Sequence, residues 1–178
     1  MQDINPKLLE PKCDANQILE LIIKQNKSIQ TFAEHNADAS SEFSQWNVAQ
    51  HIEHIIYTTK TGIFLLLEAI ENSTIQTDMH QLGKDLLARG AFPLKQTQAP
   101  DFAIPKNMSH KKLQSSAKRL LSSVENLTAR TAEINQATNT SKHPILGGFT
   151  ALHWLQFIAL HQNHHIEIIK ILISDKNA

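Results

Sequence analysis

Apolar side chains recur three and four positions apart along four stretches of this chain, the spacing of one face of an α-helix. The first stretch runs from about Ala15 to His35, with Ile18, Ile22, Ile29 and Phe32 in phase. Asp14 can cap it, and Gln17 in the third helical position completes a capping box. The second runs from about Val48 to Asn72, where Val48, Ile52, Ile55, Ile56, Ile63, Leu66, Leu67 and Ile70 share a stripe centred on Ile52. Asn47 and Gln50 form the same kind of box at its start. The third runs from about His110 to Ile134, with a seam of Leu113, Ala117, Leu120, Val124, Leu127 and Ile134 and with Ser109 as its cap. The fourth runs from about Ala151 to Ile173; Thr150 caps it, and Phe149 and Trp154 hold the two positions of a hydrophobic staple.

Between the second and third helices lies a long connection, Ser73 to Met108, holding Pro93, Pro100, Pro105, Gly83 and Gly90. A short helix at about Met79 to Arg89 is expected inside it. Connections this long are uncommon in compact domains unless they are functional, and this one is placed to cover an end of the bundle. The link from Asn135 to Phe149 is polar and turns through Pro144, Gly147 and Gly148. No strand, internal repeat or low-complexity tract is read. Four amphipathic helices with one long crossover predict an all-α four-helix bundle, a single domain over residues 1–178.

The composition narrows what such a bundle does. Lys plus Arg number 17 and Asp plus Glu 17, so the balanced charge offers nothing to nucleic acid or an anionic membrane. Aromatic residues are 6% of the chain, too few for base-stacking platforms. The single cysteine, Cys13, excludes an internal disulfide and a Cys-rich zinc site. The segment Met1 to Pro11 is polar and does not read as a signal peptide, and the densest apolar run, Ile63 to Leu67, is too short to span a bilayer. A cytoplasmic protein is the expectation.

Histidine changes the picture. There are 10, against 7 Phe and 1 Tyr, and three stand together at His161, His164 and His165. His161 and His165 are one helical turn apart, in the middle of the stripe that holds Trp154, Ile158, Ile168 and Leu172. Two imidazoles in an apolar stripe need partners, because a buried unsatisfied polar group costs roughly 1–3 kcal/mol. Either each finds a core hydrogen bond or the pair grips one ion. His164 falls roughly 80° from the centre of that stripe and is expected to point away. On the second helix, His51 and His54 share a side, but His54 lies roughly 160° from Ile52. Periodicity there fits an exposed histidine and a ligand facing a wet groove equally well. His35, His80, His110, His143 and His153 have no helical partner and read as surface or turn residues.

Two motifs carry a resemblance. The run Trp46-Asn47-Val48-Ala49-Gln50-His51-Ile52-Glu53-His54-Ile55 resembles the second-helix signature of the DinB-like superfamily, with a His eight residues after a Trp. The run His143-Pro144-Ile145-Leu146-Gly147-Gly148-Phe149-Thr150, then Trp154 and His161-Gln162-Asn163-His164-His165, resembles its last-helix signature, especially in YfiT-like metal-dependent hydrolases. The helix order and the long second connection match as well. The resemblance implies a DinB-like four-helix bundle with a three-histidine metal site, whose ligands by position are His54, His161 and His165; His51 and His164 fall on non-ligand positions. Two departures stand out. His153 replaces the acid or amide that commonly completes the last helix's cap, and Ile166-Glu167-Ile168 follows the last His where Ile or Leu flanked by Gln is common.

Three neutral imidazoles leave coordination positions open, the arrangement of a catalytic metal, and zinc, nickel or iron suits them. Such a site lowers the pKa of bound water to roughly 7 or deprotonates a bound thiol. The resemblance implies both uses: transferases that take a low-molecular-weight thiol, and hydrolases. The reading is a metal-assisted transferase acting on a small electrophile, with the thiol brought by a cofactor because Cys13 lies outside both motifs. No catalytic residue is assigned; Glu53 and Glu167 flank ligands as support or surface groups. The alternative is a non-catalytic metal-binding or protein-interaction bundle. Bundles of this kind commonly pair helices between copies, so a homodimer is an expectation.

Overall fold

The computed structural model describes residues 7–10, 12–71, 76–93, 99 and 101–176. Asn72, Pro100 and most of the N-terminal segment read above lie outside the described residues. The protein is mostly helical. Four long helices dominate, α1 (Ala15–His35), α2 (Val48–Glu71), α4 (His110–Asn126) and α6 (Ala151–Lys176), joined by two short ones, α3 (Gln81–Arg89) and α5 (Thr131–Gln136). Helix α6 packs along α2 and α1, and α4 packs against α1 and α2.

The helix starts form as their sequences direct. Asp14 and Gln17 make the reciprocal capping box of α1, and Asn47 and Gln50 make that of α2, each bond 2.9 Å. The start of α6 corrects an expectation. His153 is not a missing partner: the Thr150 backbone N–H donates to its Nδ1 while the His153 N–H donates to Thr150 Oγ1, both at 3.3 Å. An imidazole nitrogen does here what a Glu or Gln oxygen does elsewhere. The staple above it is real, with the Phe149 and Trp154 rings edge to face at 5.2 Å. Ser109 stands at the N-cap of α4 without a side-chain capping bond.

Two further readings are corrected. The third helix does not run unbroken to Ile134, since a 3-10 turn at Leu127–Arg130 separates α4 from α5. The seam is continuous because the turn keeps Leu127 and Ile134 buried against the same core. The polar link before α6 does form strands, β1 (Ser141–His143) and β2 (Gly147–Phe149), an antiparallel hairpin pairing Ser141 with Phe149 and His143 with Gly147. Three-residue strands holding two glycines have no period to read. The glycines let the long connection lie against the hairpin. Gly147 has φ +85°, and a Cβ on Gly148 would collide with the carbonyl oxygen of Thr77. The Gly148 N–H donates to the Asp78 carbonyl at 3.0 Å, and the His80 N–H to the Leu146 carbonyl at 2.9 Å.

The apolar core has two parts. One gathers Ile18, Ile22, Leu66, Phe149, Trp154, Leu155 and Ile158 at the hairpin end. The other gathers Ile29, Val48, Ile52, Leu113, Ile166 and Leu172 at the opposite end. A buried polar layer crosses α1, α6 and α2, with Asn26 Nδ2 donating to Gln162 Oε1 at 3.2 Å and Gln162 Nε2 donating to Thr59 Oγ1 at 3.0 Å. Among the described residues no helix is long and apolar enough to cross a membrane.

Candidate metal centre

The contact between α2 and α6 carries the histidines. His161 and His165 lie one turn apart on α6, and His54 faces them from α2. One ligand atom from each of the three lies within 4.8 Å of the others. His54 Nε2 and His161 Nε2 are 3.2 Å apart. His54 and His165 are buried.

The surrounding hydrogen bonds say which nitrogens carry protons. His54 Nδ1 is 2.8 Å from the Ala103 carbonyl oxygen, which can only accept, so Nδ1 holds the proton and Nε2 is bare. Thr58 Oγ1 donates its one hydrogen to the His54 carbonyl at 2.8 Å. Its oxygen therefore accepts from His161 Nδ1 at 3.3 Å, which leaves His161 Nε2 bare as well. Two lone pairs thus face each other at hydrogen-bond distance with no proton between them. A divalent ion resolves that conflict. Zinc–nitrogen bonds of about 2.0–2.1 Å at a tetrahedral angle put two ligand nitrogens roughly 3.3–3.4 Å apart. Protons do not resolve it, because burial and the neighbouring imidazoles push the pKa of His161 and of His165 well below 6.5, and burial lowers that of His54. All three are neutral near neutral pH, the form in which imidazole binds metal. The donor set fits a divalent ion of the zinc, nickel or iron type.

Periodicity put His54 off the apolar stripe and left its exposure open, and its burial comes from elsewhere. The turn at Asp101–Ala103, at the far end of the long connection, lies against α2 and supplies the Ala103 carbonyl. Trp46 covers the other side, its ring 5.1 Å from His54. Glu53 anchors this cover. Its carboxylate oxygens accept from the backbone N–H groups of Lys106 at 2.9 Å and Met108 at 2.8 Å, so it is committed to holding the connection. Glu167 forms a surface pair with Lys170 at 2.7 Å. Cys13 packs against the hairpin-end core.

His164 corrects another expectation. It is buried rather than outward, its ring 5.7 Å from Phe92 and 4.9 Å from His165. Helix α6 is covered on nearly every side, so distance from the stripe centre does not imply exposure there. Burial lowers the His164 pKa to about 4. His143 is half-buried rather than a surface residue. It packs on Trp154, Phe149 and Phe157, accepts from the Ile145 and Leu146 N–H groups at 3.1 Å, and has its pKa lowered by burial to about 4. The motif that carries the resemblance begins at Trp46, and Thr58 lies one turn after His54 on the same helix, but Ala103 reaches the site by a contact that periodicity does not encode.

No curated protein and no solved structure matches the chain. The family model of the DinB superfamily matches residues 27–169, a span that includes α2, most of α6 and all three facing histidines. With most of its length matched, the chain belongs to the DinB superfamily.

Proposed function

We propose that His54, His161 and His165 hold one divalent metal ion, and that the protein is a metal-assisted transferase joining a low-molecular-weight thiol to a small electrophile. The observation that carries the metal is the approach of the bare Nε2 atoms of His54 and His161 to 3.2 Å, each with its other ring nitrogen already engaged. The four long helices are read as the DinB-like four-helix bundle, within its YfiT-like branch.

Three protein ligands leave room for an exogenous molecule, and a metal there supplies Lewis acidity that brings a thiol or water ligand to its deprotonated form near neutral pH. The chain's own residues do the rest. Ala103 and Thr58 keep the donor nitrogens of His54 and His161 free of protons. Trp46 packs on the imidazoles, and Phe92 and Phe157 flank His161 at 5.8 and 5.6 Å. An aromatic wall of this kind suits an apolar electrophile. Among the described residues neither Cys13, which packs against the hairpin-end core, nor Glu53, which is committed to the backbone, contacts the three histidines as a free nucleophile. That favours an external thiol over a protein-borne one. Activation of water, giving a hydrolase, uses the same ligands. A homodimer in the cytoplasm is part of the proposal.

Elemental analysis of the purified, untagged protein beside the His54/His161/His165→Ala triple variant tests the site. About one zinc, nickel or iron per chain in the wild type and none in the variant is the expected result. No metal in either after divalent ions are added back overturns it. Loaded protein is then assayed with glutathione, cysteine and other small thiols against alkyl halide and epoxide electrophiles. Metal-dependent thiol loss supports the transferase, whereas electrophile hydrolysis without thiol loss supports the hydrolase.

A further inference from the structure

Two of the three ligand histidines have an evident partner on the ring nitrogen that does not face the ion, His54 in the Ala103 carbonyl and His161 in Thr58 Oγ1. His165 has His51. The two Nδ1 atoms are 3.0 Å apart, and both rings are buried. On its other side His51 Nε2 is 3.0 Å from Ser44 Oγ, which already accepts from the Trp46 backbone N–H at 3.1 Å.

A histidine between a ligand and a hydroxyl can be oriented in either of two directions, and only one serves a metal. In the first, His165 Nδ1–H donates to His51 Nδ1, and His51 Nε2–H donates to the second lone pair of Ser44 Oγ. His165 Nε2 is then bare. In the second, Ser44 O–H donates to His51 Nε2, His51 Nδ1–H donates to His165, and the remaining proton of neutral His165 sits on Nε2, where it blocks coordination. Trp46 keeps water from substituting for His51, its ring 5.4 Å from His51 and stacked 6.4 Å from His165. The nearby carboxylate that often plays this part is unavailable, because Glu53 holds Lys106 and Met108.

We propose that His51 is a positioning residue for the metal ligand His165. It accepts the proton of His165 Nδ1, passes the same polarity on to Ser44 Oγ, and so sets the tautomer that leaves His165 Nε2 free to coordinate. The role rests on the metal reading above. It completes a pattern in which each ligand has its own partner, drawn from α2, from the segment before it or from the connection.

The test has two parts. Long-range nitrogen–proton correlation spectra of the zinc-loaded wild type report tautomers directly. The expected spectrum has His165 protonated on Nδ1 and His51 protonated on Nε2; a proton on His51 Nδ1 overturns the proposal. Zinc affinity is then measured by chelator competition for the wild type, His51→Leu, His51→Gln and Ser44→Ala. His51→Leu fills the space without an acceptor and is expected to weaken zinc binding by about 10- to 100-fold. His51→Gln restores an acceptor oxygen and is expected to recover most of that loss, which a purely space-filling role does not explain. Ser44→Ala, milder and less buried, is expected to give a smaller loss and serves as the decisive variant if His51→Leu does not fold. A wild type that takes up one zinc while the acceptor-free variant binds it equally tightly overturns this role alone. A wild type that takes up no zinc overturns the metal reading and this role together.

Discussion

Helix α6 carries buried polar side chains toward two different neighbours, and the two sets behave differently. Gln162 joins Asn26 of α1 and Thr59 of α2 in a layer where each of these two bonds pairs a donor with an acceptor. One residue away, His161 meets His54 with a lone pair on each side of the contact. Both lie between apolar clusters on the same helix. The amide layer is built of complementary bonds, although Asn26 Oδ1 is buried without a partner among the described residues, and its effect is to fix how α1, α2 and α6 register against one another. The His54–His161 contact brings two acceptors together with no donor between them. The lesson is that buried polarity points to a cation when two acceptors, rather than a donor and an acceptor, are brought face to face.

The sharpest way to break this comparison is to remove a ligand. His161→Ala or His165→Ala is expected to abolish stoichiometric metal uptake, read by elemental analysis, while leaving the helical circular dichroism intact. Full binding by both variants would sink the site. On the amide side, Gln162→Leu removes the donor to Thr59 Oγ1 and one of the two acceptors of Asn26 Nδ2, and is expected to cost about 1–3 kcal/mol in urea unfolding. Its metal stoichiometry should stay at the wild-type value; a parallel loss of metal would mean that the two sets are one network.

Titration sharpens the contrast further. The amide layer has no titrating group, whereas His51 and His143 have pKa values lowered by burial to about 3 and about 4. Such groups stay neutral in the folded protein while the unfolded chain takes up protons below its ordinary value of 6.5. The unfolded state therefore binds more protons, and stability falls as pH drops below about 6.5, with the loss complete only near the folded values. Metal-free protein followed by urea unfolding from about pH 8 to about pH 5 should lose stability steadily at the acid end. A flat profile would mean that the histidines are not held neutral by the fold. Two smaller effects complete the series. Glu53→Ala frees the N–H groups of Lys106 and Met108, and the connection around Asp101–Ala103 should become more open to limited proteolysis. His153→Ala removes one half of the α6 cap at a cost of about 0.5–1 kcal/mol.

Much of this was legible in the sequence for local reasons. The four long helices, the boxes at Asp14 and Asn47 and the staple of Phe149 on Trp154 depend on residues within a turn of one another, so spacing reveals them. The inward pair His161 and His165 was legible in the same way, from a helix whose apolar stripe contains them. The cap at His153 was misjudged because an imidazole was not counted as an acceptor. The hairpin was missed because its glycines serve a close approach by Thr77 and carry no pattern.

What the sequence determined by itself is the set of helices and the presence of two histidines on one buried turn, because helical period is a property of the local chain. What only the tertiary structure decided is how the third histidine, which the motif implied and periodicity left open, comes to be buried, and where the protons sit. His54 lies off its helix's apolar stripe and is buried only because Ala103, about fifty residues away, and Trp46 close over it. The direction of each hydrogen bond depends on which carbonyl or hydroxyl stands opposite, and that is settled when the segments pack.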